Sequence, residues 1–224
     1  CSSLTSVDLT PLASWVDVRD CSYLLNGCTK LTSVDLTPLA SWKLASNAMC
    51  LLSGCTKLTS VDLTPLAGWV NVSNAVEMLS SCSSLTSVDL TPLASWVEVT
   101  SCHDFLYSCF SLTSVDLTPL ASWVEVTNCN SLMYGCSGLT SVDLTPLASW
   151  TKMTSNSSLI RYCNELVFVT VLSTIPFPIS SGALTNGNNC PIYVPDDAVD
   201  TYKMATNWSA YASRIKPISE KTES

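Results

Sequence analysis

A repeat of unchanged sequence runs through most of this 224-residue chain. The string LTSVDLTPLA occurs six times, and its copies begin at Leu4, Leu31, Leu58, Leu85, Leu112 and Leu139. Successive copies start 27 residues apart, and a seventh, degenerate unit runs from Cys163 to about Asn189. This period predicts a solenoid, in which each unit buries its apolar side against its neighbours, rather than a β-sandwich of unrelated hairpins.

The apolar spacing within one unit indicates what its parts form. Val7 and Leu9 alternate with polar neighbours, which is the period of a half-buried strand, and Pro11 then turns the chain. A second extended piece, such as residues 123–126, and a short variable arc complete the unit. We therefore expect a right-handed parallel coil of seven repeats, mainly β, whose LTSVDL segments form one continuous parallel sheet.

Each of the first six units also carries the pattern Cys-x-x-Leu-Thr-Ser-Val-x-Leu, which first begins at Cys1. This pattern resembles the BspA-like class of bacterial leucine-rich repeats, and the segments 192–203 and 207–218 look like the C-terminal cap of that family. The family's commonest unit is shorter and has glycine and an inward phenylalanine where this chain has tryptophan and a longer arc. The resemblance implies a leucine-rich-repeat solenoid and a secreted or cell-surface location in a bacterium.

The repeat and the sequence that follows it divide the chain into three regions. Residues 1–189 are predicted to form the seven repeats, residues 190–218 a short helical cap, and residues 219–224 a disordered tail. In the cap, three large rings are expected to cover the apolar end of the seventh repeat, where a strand edge would otherwise be open to another chain. These rings are Tyr202, Trp208 and Tyr211. Because Cys1 is already in register with the repeat, we expect the N-terminus to be a cut end of a longer product.

Charge and composition argue against several classes of function. The net charge is −8 and the ten basic residues are scattered, whereas nucleic-acid binding needs clustered Lys and Arg. No run approaches the ~18 apolar residues of a membrane span, so we expect no membrane insertion of these residues. With seven glycines, a single histidine (His103) and no CxxC pair, the sequence predicts no cofactor, no phosphate-binding loop and no zinc site.

Eight of the twelve cysteines recur at one position of the repeat: Cys1, Cys28, Cys55, Cys82, Cys109, Cys136, Cys163 and Cys190. Equivalent side chains of stacked coils lie about 4.8 Å apart and point the same way. A disulfide instead needs facing Cβ atoms about 3.8 Å apart. The column therefore predicts a buried ladder of free thiols, with metal binding or redox chemistry as the alternative.

The repeat also places one aspartate per unit on the outward side of the first strand, beside hydroxyl groups. The column could bind a cation or a polyhydroxyl ligand. The interpretation we favour is a solvated face whose carboxylates accept hydrogen bonds from neighbouring hydroxyls, because carboxylates about 5 Å apart repel one another by about 1 kcal/mol each even in water. The column consists of Asp8, Asp35, Asp62, Asp89, Asp116 and Asp143.

Tryptophan forms a second column: Trp15, Trp42, Trp69, Trp96, Trp123 and Trp150. Six rings at one register either stack inside the coil, which we favour, or form an exposed aromatic strip for a sugar or a protein. The arc supplies a third candidate, because its residues differ in size and charge between repeats and could form either a recognition surface or a tolerant exposed segment. These positions are Tyr23, Cys50, Glu77, Asp104, Ser131 and Ser158.

The same columns argue against an enzyme. Glycosidase chemistry needs two carboxyl groups in different environments, and all six aspartates have the same surroundings. We therefore expect a non-catalytic, surface-presented module for adhesion, which binds a protein or a glycan partner. The alternative is a structural spacer or a fibre component of a bacterial surface or a phage appendage, which the near-identity of the repeats favours.

Overall fold

The computed structural model describes residues 1–222, which form a parallel coil of seven repeats followed by a cap. Each of the first six repeats has one 3-10 helix over the TPLAS or TPLAG string, because proline in the first turn has no N–H to leave unpaired and its φ already suits a helix. These helices are Thr10–Ser14, Thr37–Ser41, Thr64–Gly68, Thr91–Ser95, Thr118–Ser122 and Thr145–Ser149. The period of the sequence is thus the period of the fold.

The leucines of the repeat form one continuous core. In the second repeat Leu31, Leu36 and Leu39 are at most 1% exposed, and the equivalent leucines of the third to sixth repeats are buried as well. Burying a side chain of this size contributes about 1.5–3 kcal/mol, so the summed burial along the coil is its main source of stability. The fold is a mainly-β leucine-rich-repeat solenoid, as the sequence predicted.

Regular strand pairing on the LTSVDL side is confined to the C-terminal part of the coil. Strands β1 (Ser141–Asp143), β2 (Phe168–Thr170), β3 (Ile192–Val194) and β4 (Ile215–Pro217) form a parallel sheet in that order. The LTSVDL segments of the five preceding repeats are extended, but within residues 1–222 they form no regular strands. The prediction of one continuous sheet is therefore wrong for those repeats.

The tryptophan stack coincides with this difference. Its rings stack from Trp42 to Trp150 with centroids 6.0 to 6.4 Å apart, which exceeds the strand spacing of about 4.8 Å. The sheet begins at β1 and β2, where the stack ends and the seventh repeat has neither the 3-10 helix nor the tryptophan.

The largest recurring set of backbone hydrogen bonds between the first six coils lies instead in the arc, which comprises residues 21–27 and their equivalents 48–54, 75–81, 102–108, 129–135 and 156–162. The N–H groups of Cys21, Tyr23, Leu25 and Gly27 donate to carbonyl groups of the second coil at 2.7 to 2.9 Å. Four such bonds recur at each following junction as far as the sixth coil. Two residues of each arc have positive φ, such as Tyr23 (60°) and Gly27 (68°), which turns alternate N–H groups towards the next coil.

The cap contains less helix than expected. It comprises β3, a 3-10 turn at Asp196–Ala198, helix α1 (Val199–Met204), a 3-10 turn at Trp208–Tyr211, and β4. Its two strands extend the sheet, and Pro217 in the last strand has no N–H for a further chain to use. No helix within residues 1–222 is both long and apolar enough to cross a membrane.

The three rings of the cap are buried and hydrogen-bonded to the seventh repeat. The hydroxyl of Tyr202 donates to the carbonyl of Ser173 at 2.9 Å, and the indole N–H of Trp208 donates to that of Phe177 at 2.8 Å. At the start of the predicted tail, a 3-10 turn covers Ile218–Glu220 and the Lys221 ammonium lies 3.9 Å from the Phe168 ring centroid. Residues 223 and 224 lie outside the described part.

Candidate interaction surface

The aspartate column lies on the exposed LTSVDL side, and each carboxylate is bonded within its own repeat. In all six repeats Oδ1 accepts the backbone N–H of the threonine two residues later, at 2.8 to 2.9 Å. The bond begins the 3-10 helix, whose first N–H groups have no partner within the helix. Hydrogen bonds from this threonine, first from its hydroxyl and then from its N–H, lower the pKa of Asp8, Asp35, Asp62 and Asp89.

These turn bonds give each aspartate a structural partner within its own repeat. Asp8, Asp35, Asp62, Asp89, Asp116 and Asp143 each occupy the same place because the turn after them recurs. In the part of the chain that the structure describes, no group of three or more His, Cys, Asp or Glu side chains could hold a metal ion. The geometry therefore gives the aspartates a local structural role.

The tryptophan column is a stack inside the coil. Trp42, Trp69, Trp96, Trp123 and Trp150 are at most 2% exposed, and their rings lie within 13° of parallel. Each indole N–H donates to a leucine carbonyl of the preceding coil at 2.8 to 3.1 Å, so the polar atom of the ring is satisfied where it is buried. An exposed aromatic strip is therefore ruled out for these five rings.

The first ring of the column differs from the other five. Trp15, in the first repeat of the given sequence, is 57% exposed. One exposed ring at an end does not make a strip.

The cysteine column is a ladder of buried free thiols, as predicted. All twelve cysteines of the chain are free, and all except Cys1 are buried. The thiols from Cys55 to Cys163 donate to a carbonyl in the preceding arc at 3.0 to 3.3 Å. Burial raises the pKa of Cys55 to about 11 and that of Cys163 to about 12, so these thiols are poor nucleophiles.

The arc presents the side chains that differ between repeats. Its six variable positions, from Tyr23 to Ser158, all have φ between 54° and 60°, a conformation that non-glycine residues rarely adopt. The structure thus assigns them a shared backbone role that their sequence does not reveal. The four recurring bonds between neighbouring arcs use backbone atoms, so they do not depend on which side chain stands at these positions. These positions are Tyr23, Cys50, Glu77, Asp104, Ser131 and Ser158.

A second variable column in the arc was missed by the sequence reasoning. It is the residue two before each cysteine of the repeat, and it could have been found by aligning the units on that cysteine. Its members are Asn26, Ser53, Ser80, Tyr107, Tyr134 and Arg161. The rings of Tyr107 and Tyr134 stack at 4.9 Å, whereas the two serines leave an open cavity of about 330 Å³ beside them.

No protein-family model matches the sequence, and a comparison with curated proteins finds none that matches. Three solved structures are similar at low identity. A leucine-rich-repeat protein from T. pallidum is 15% identical over 86% of this chain and 73% of its own, with a TM-score of 0.34. One from Bacteroides ovatus is 16% identical over 79% and 58%, with a TM-score of 0.28, and an internalin from Listeria monocytogenes is 14% identical over 97% and 78%, with a TM-score of 0.18. The chain is thus similar to bacterial leucine-rich-repeat proteins.

Proposed function

We propose that this chain is a non-catalytic interaction module that binds a partner protein through the surface of its arcs. The observation that supports the proposal is the contrast between a constant backbone and changing side chains. Four bonds recur at every junction between the first six arcs, while the residue two before each cysteine changes from asparagine to serine, tyrosine and arginine. A stiff frame that holds different side chains at fixed spacing suits the recognition of a protein.

The LTSVDL side offers less variety. Its six copies are identical, and their carboxylates are used by the turns. The same uniformity supports a role without catalysis, since no aspartate has surroundings that would distinguish an acid from a base.

The resemblance noted in the sequence favours a secreted or surface-displayed module. Such locations are oxidising, and exposed thiols there form disulfides. A chain with twelve free cysteines suits such a location because every cysteine except Cys1 is buried. Adhesion to a host or neighbouring cell would be one use of a module of this kind.

The experiment is a selection of random phage-displayed peptides on the immobilised protein, followed by affinity measurement on two variants. The arc variant carries Tyr134→Ser and Tyr162→Ser, which are serines that the repeat already has at Ser80 and Ser81. The control carries Ser60→Tyr and Ser87→Tyr on the exposed LTSVDL side. We expect the arc variant to bind the selected peptides roughly tenfold more weakly and the control to bind them as the native protein does.

The second candidate function is a structural spacer, which six identical strings favour because length alone would be selected. A selection that enriches no peptide would support the spacer. Peptides that bind the arc variant and the native protein equally, but not the LTSVDL-side control, would place recognition on the opposite side and overturn the proposal.

A further inference from the structure

The cavity in the arc surface lies where the repeat pattern breaks. Tyrosine stands two residues before the cysteine in the fourth and fifth repeats, and its ring fills the space above its arc. Serine stands there in the second and third repeats, and the space stays open as a cavity of about 330 Å³. The cavity is lined by Ser53, Gly54, Glu77, Ser80, Ser81, Asp104 and Tyr107.

Two buried hydroxyl groups line this cavity without a partner. Ser53 and Ser80 are only 6% and 4% exposed, yet neither hydroxyl makes a hydrogen bond to any group within residues 1–222. Neither is sealed from solvent, since the one fully buried unpartnered side-chain atom in that part of the chain is Oδ1 of Asn186. The hydroxyls are therefore reached through the cavity and are available to a ligand.

The wall of the cavity is acidic. Glu77 makes no ion pair with any residue in the described part of the chain, and Asp104 pairs only with Nδ1 of His103, at 2.9 Å. No lysine or arginine lines the cavity. The ring of Tyr107, held in place by its stack on Tyr134, supplies an aromatic side.

We propose that this cavity binds the guanidinium group of an arginine side chain on the partner protein, a step that rests on the proposed function of the arc surface. Guanidinium is planar, carries five N–H donors and stacks on aromatic rings, which matches two carboxylates, the serine hydroxyls and one tyrosine. A metal ion is a poorer match, because no group of three or more suitable ligands occurs within residues 1–222. A neutral sugar would leave the charge of Glu77 unbalanced.

The first test is an NMR titration of the whole protein with N-acetyl-arginine methylamide. The control ligand is N-acetyl-citrulline methylamide, which has the same shape without the charge. We expect saturable shifts of resonances from Tyr107, Ser80 and Ser81 with the arginine compound, and binding of citrulline at least roughly tenfold weaker. Equal binding of both compounds, or stronger binding of a neutral disaccharide such as cellobiose, would overturn the proposal.

Two variants locate the site. Glu77→Gln should weaken arginine binding roughly tenfold, whereas Glu98→Gln, which removes the same charge from an exposed position outside the cavity, should leave it unchanged. Ser80→Tyr should fill the cavity and abolish binding while the fold is retained, because the repeat already holds tyrosine at this position in Tyr107. Unchanged binding by folded Ser80→Tyr would place the ligand elsewhere.

The outcome separates this proposal from the one on which it rests. If arginine fails to bind while the selected peptides still depend on Tyr134 and Tyr162, the arc surface is a recognition surface and the arginine site alone is wrong. If arginine fails and no peptide is enriched, both are wrong.

Discussion

The LTSVDL side and the arc side of the same coils are joined by different means. On the LTSVDL side the sequence is identical in six repeats, and neighbouring coils are joined mainly by side chains, namely the leucines, the indole stack and the indole N–H bonds to leucine carbonyls. On the arc side the sequence varies, and the coils are joined by four backbone bonds per junction. The sequence is therefore identical between repeats on the side where side chains connect the coils. It varies between repeats on the side where backbone hydrogen bonds connect them.

Both sides nevertheless share one device. A tryptophan N–H on one side and a cysteine S–H on the other each donate to a carbonyl thirty residues earlier in the chain, as Trp96 does to Leu66 and Cys82 does to Leu52. Each bond connects adjacent coils and uses a donor that is buried in the core. This structural role accounts for the recurrence of both residue types without change.

The largest effect on folding is expected from deletion of the cap, which closes the C-terminal end of both sides. Deleting residues 192–218 would remove β3, which pairs with β2, and the rings of Tyr202 and Trp208, which cover the seventh repeat. We expect residues 1–191 to aggregate, because an open strand edge and an apolar end become available to another chain. Light scattering on the purified fragment measures this. A monodisperse, fully folded fragment would show that these residues are not a cap and would make the tail a candidate binding element.

The second prediction concerns the side-chain contacts between coils on the LTSVDL side. Trp96→Ala removes a buried ring from the middle of the stack, together with its bond to Leu66, and should lower the free energy of unfolding by about 3–5 kcal/mol. The matched control is Trp15→Ala, at the exposed end of the same column, which should cost much less. Urea denaturation of both variants measures the difference. Equal losses would mean that the stack does not join the coils.

The sequence predicted the parts of this fold that depend on side-chain period. Unbroken columns at 27 residues were enough to place the leucines in a shared core and to indicate free thiols in the column from Cys28 to Cys190. The position of the hydrogen bonds between coils could not be predicted from the sequence. The repeat period indicates which side chains occupy equivalent positions, but not which backbone segments lie within hydrogen-bond distance. The tryptophan rings stack with centroids 6.0 to 6.4 Å apart, and the regular sheet begins where that stack ends.

The arc shows a second limit. Tyr23, Cys50 and Glu77 have nothing in common as residue types, so no local pattern indicates that they share a positive φ. The surrounding bonds impose that conformation, and the sequence carries it only as a position in the repeat. The cavity beside Ser53 and Ser80 is equally hidden, since it exists only relative to the tyrosines of the next repeats.

The third prediction uses pH to separate the two sides. Burial raises the pKa of Cys55 to about 11 and of Cys163 to about 12, from 9.0, so the neutral thiols stabilise the fold below pH 9 and this contribution is lost as the pH rises towards 11–12. The aspartates act oppositely. Hydrogen bonds lower the pKa of Asp62 below its usual 3.8, so its contribution is present above about pH 4 and is lost in acid.

The measurement is the urea midpoint from pH 8 to about pH 10.5 for the native protein and for the double variant Cys55→Ala and Cys163→Ala. The native midpoint should fall as the pH rises, and the variant, although less stable at pH 8, should show a shallower fall. Identical slopes would mean that these thiols have the same pKa in the folded and the unfolded protein, so that their burial does not raise it.

The smallest expected effect gives the sharpest comparison, because one substitution should have opposite signs on the two sides. Ser131 in the arc has φ of 55°, where a Cβ is strained by roughly 1–2 kcal/mol, so Ser131→Gly should raise the free energy of unfolding by about 0.5–1 kcal/mol after the entropy of glycine is subtracted. Ser87 lies in an extended LTSVDL segment without positive φ, so Ser87→Gly should lower it by about 0.5–1 kcal/mol. Urea denaturation of the two variants side by side measures both signs. If both substitutions lower the free energy of unfolding, the positive φ of the arc residues carries no strain. The variety of side chains in the arc would then be unrelated to its backbone conformation.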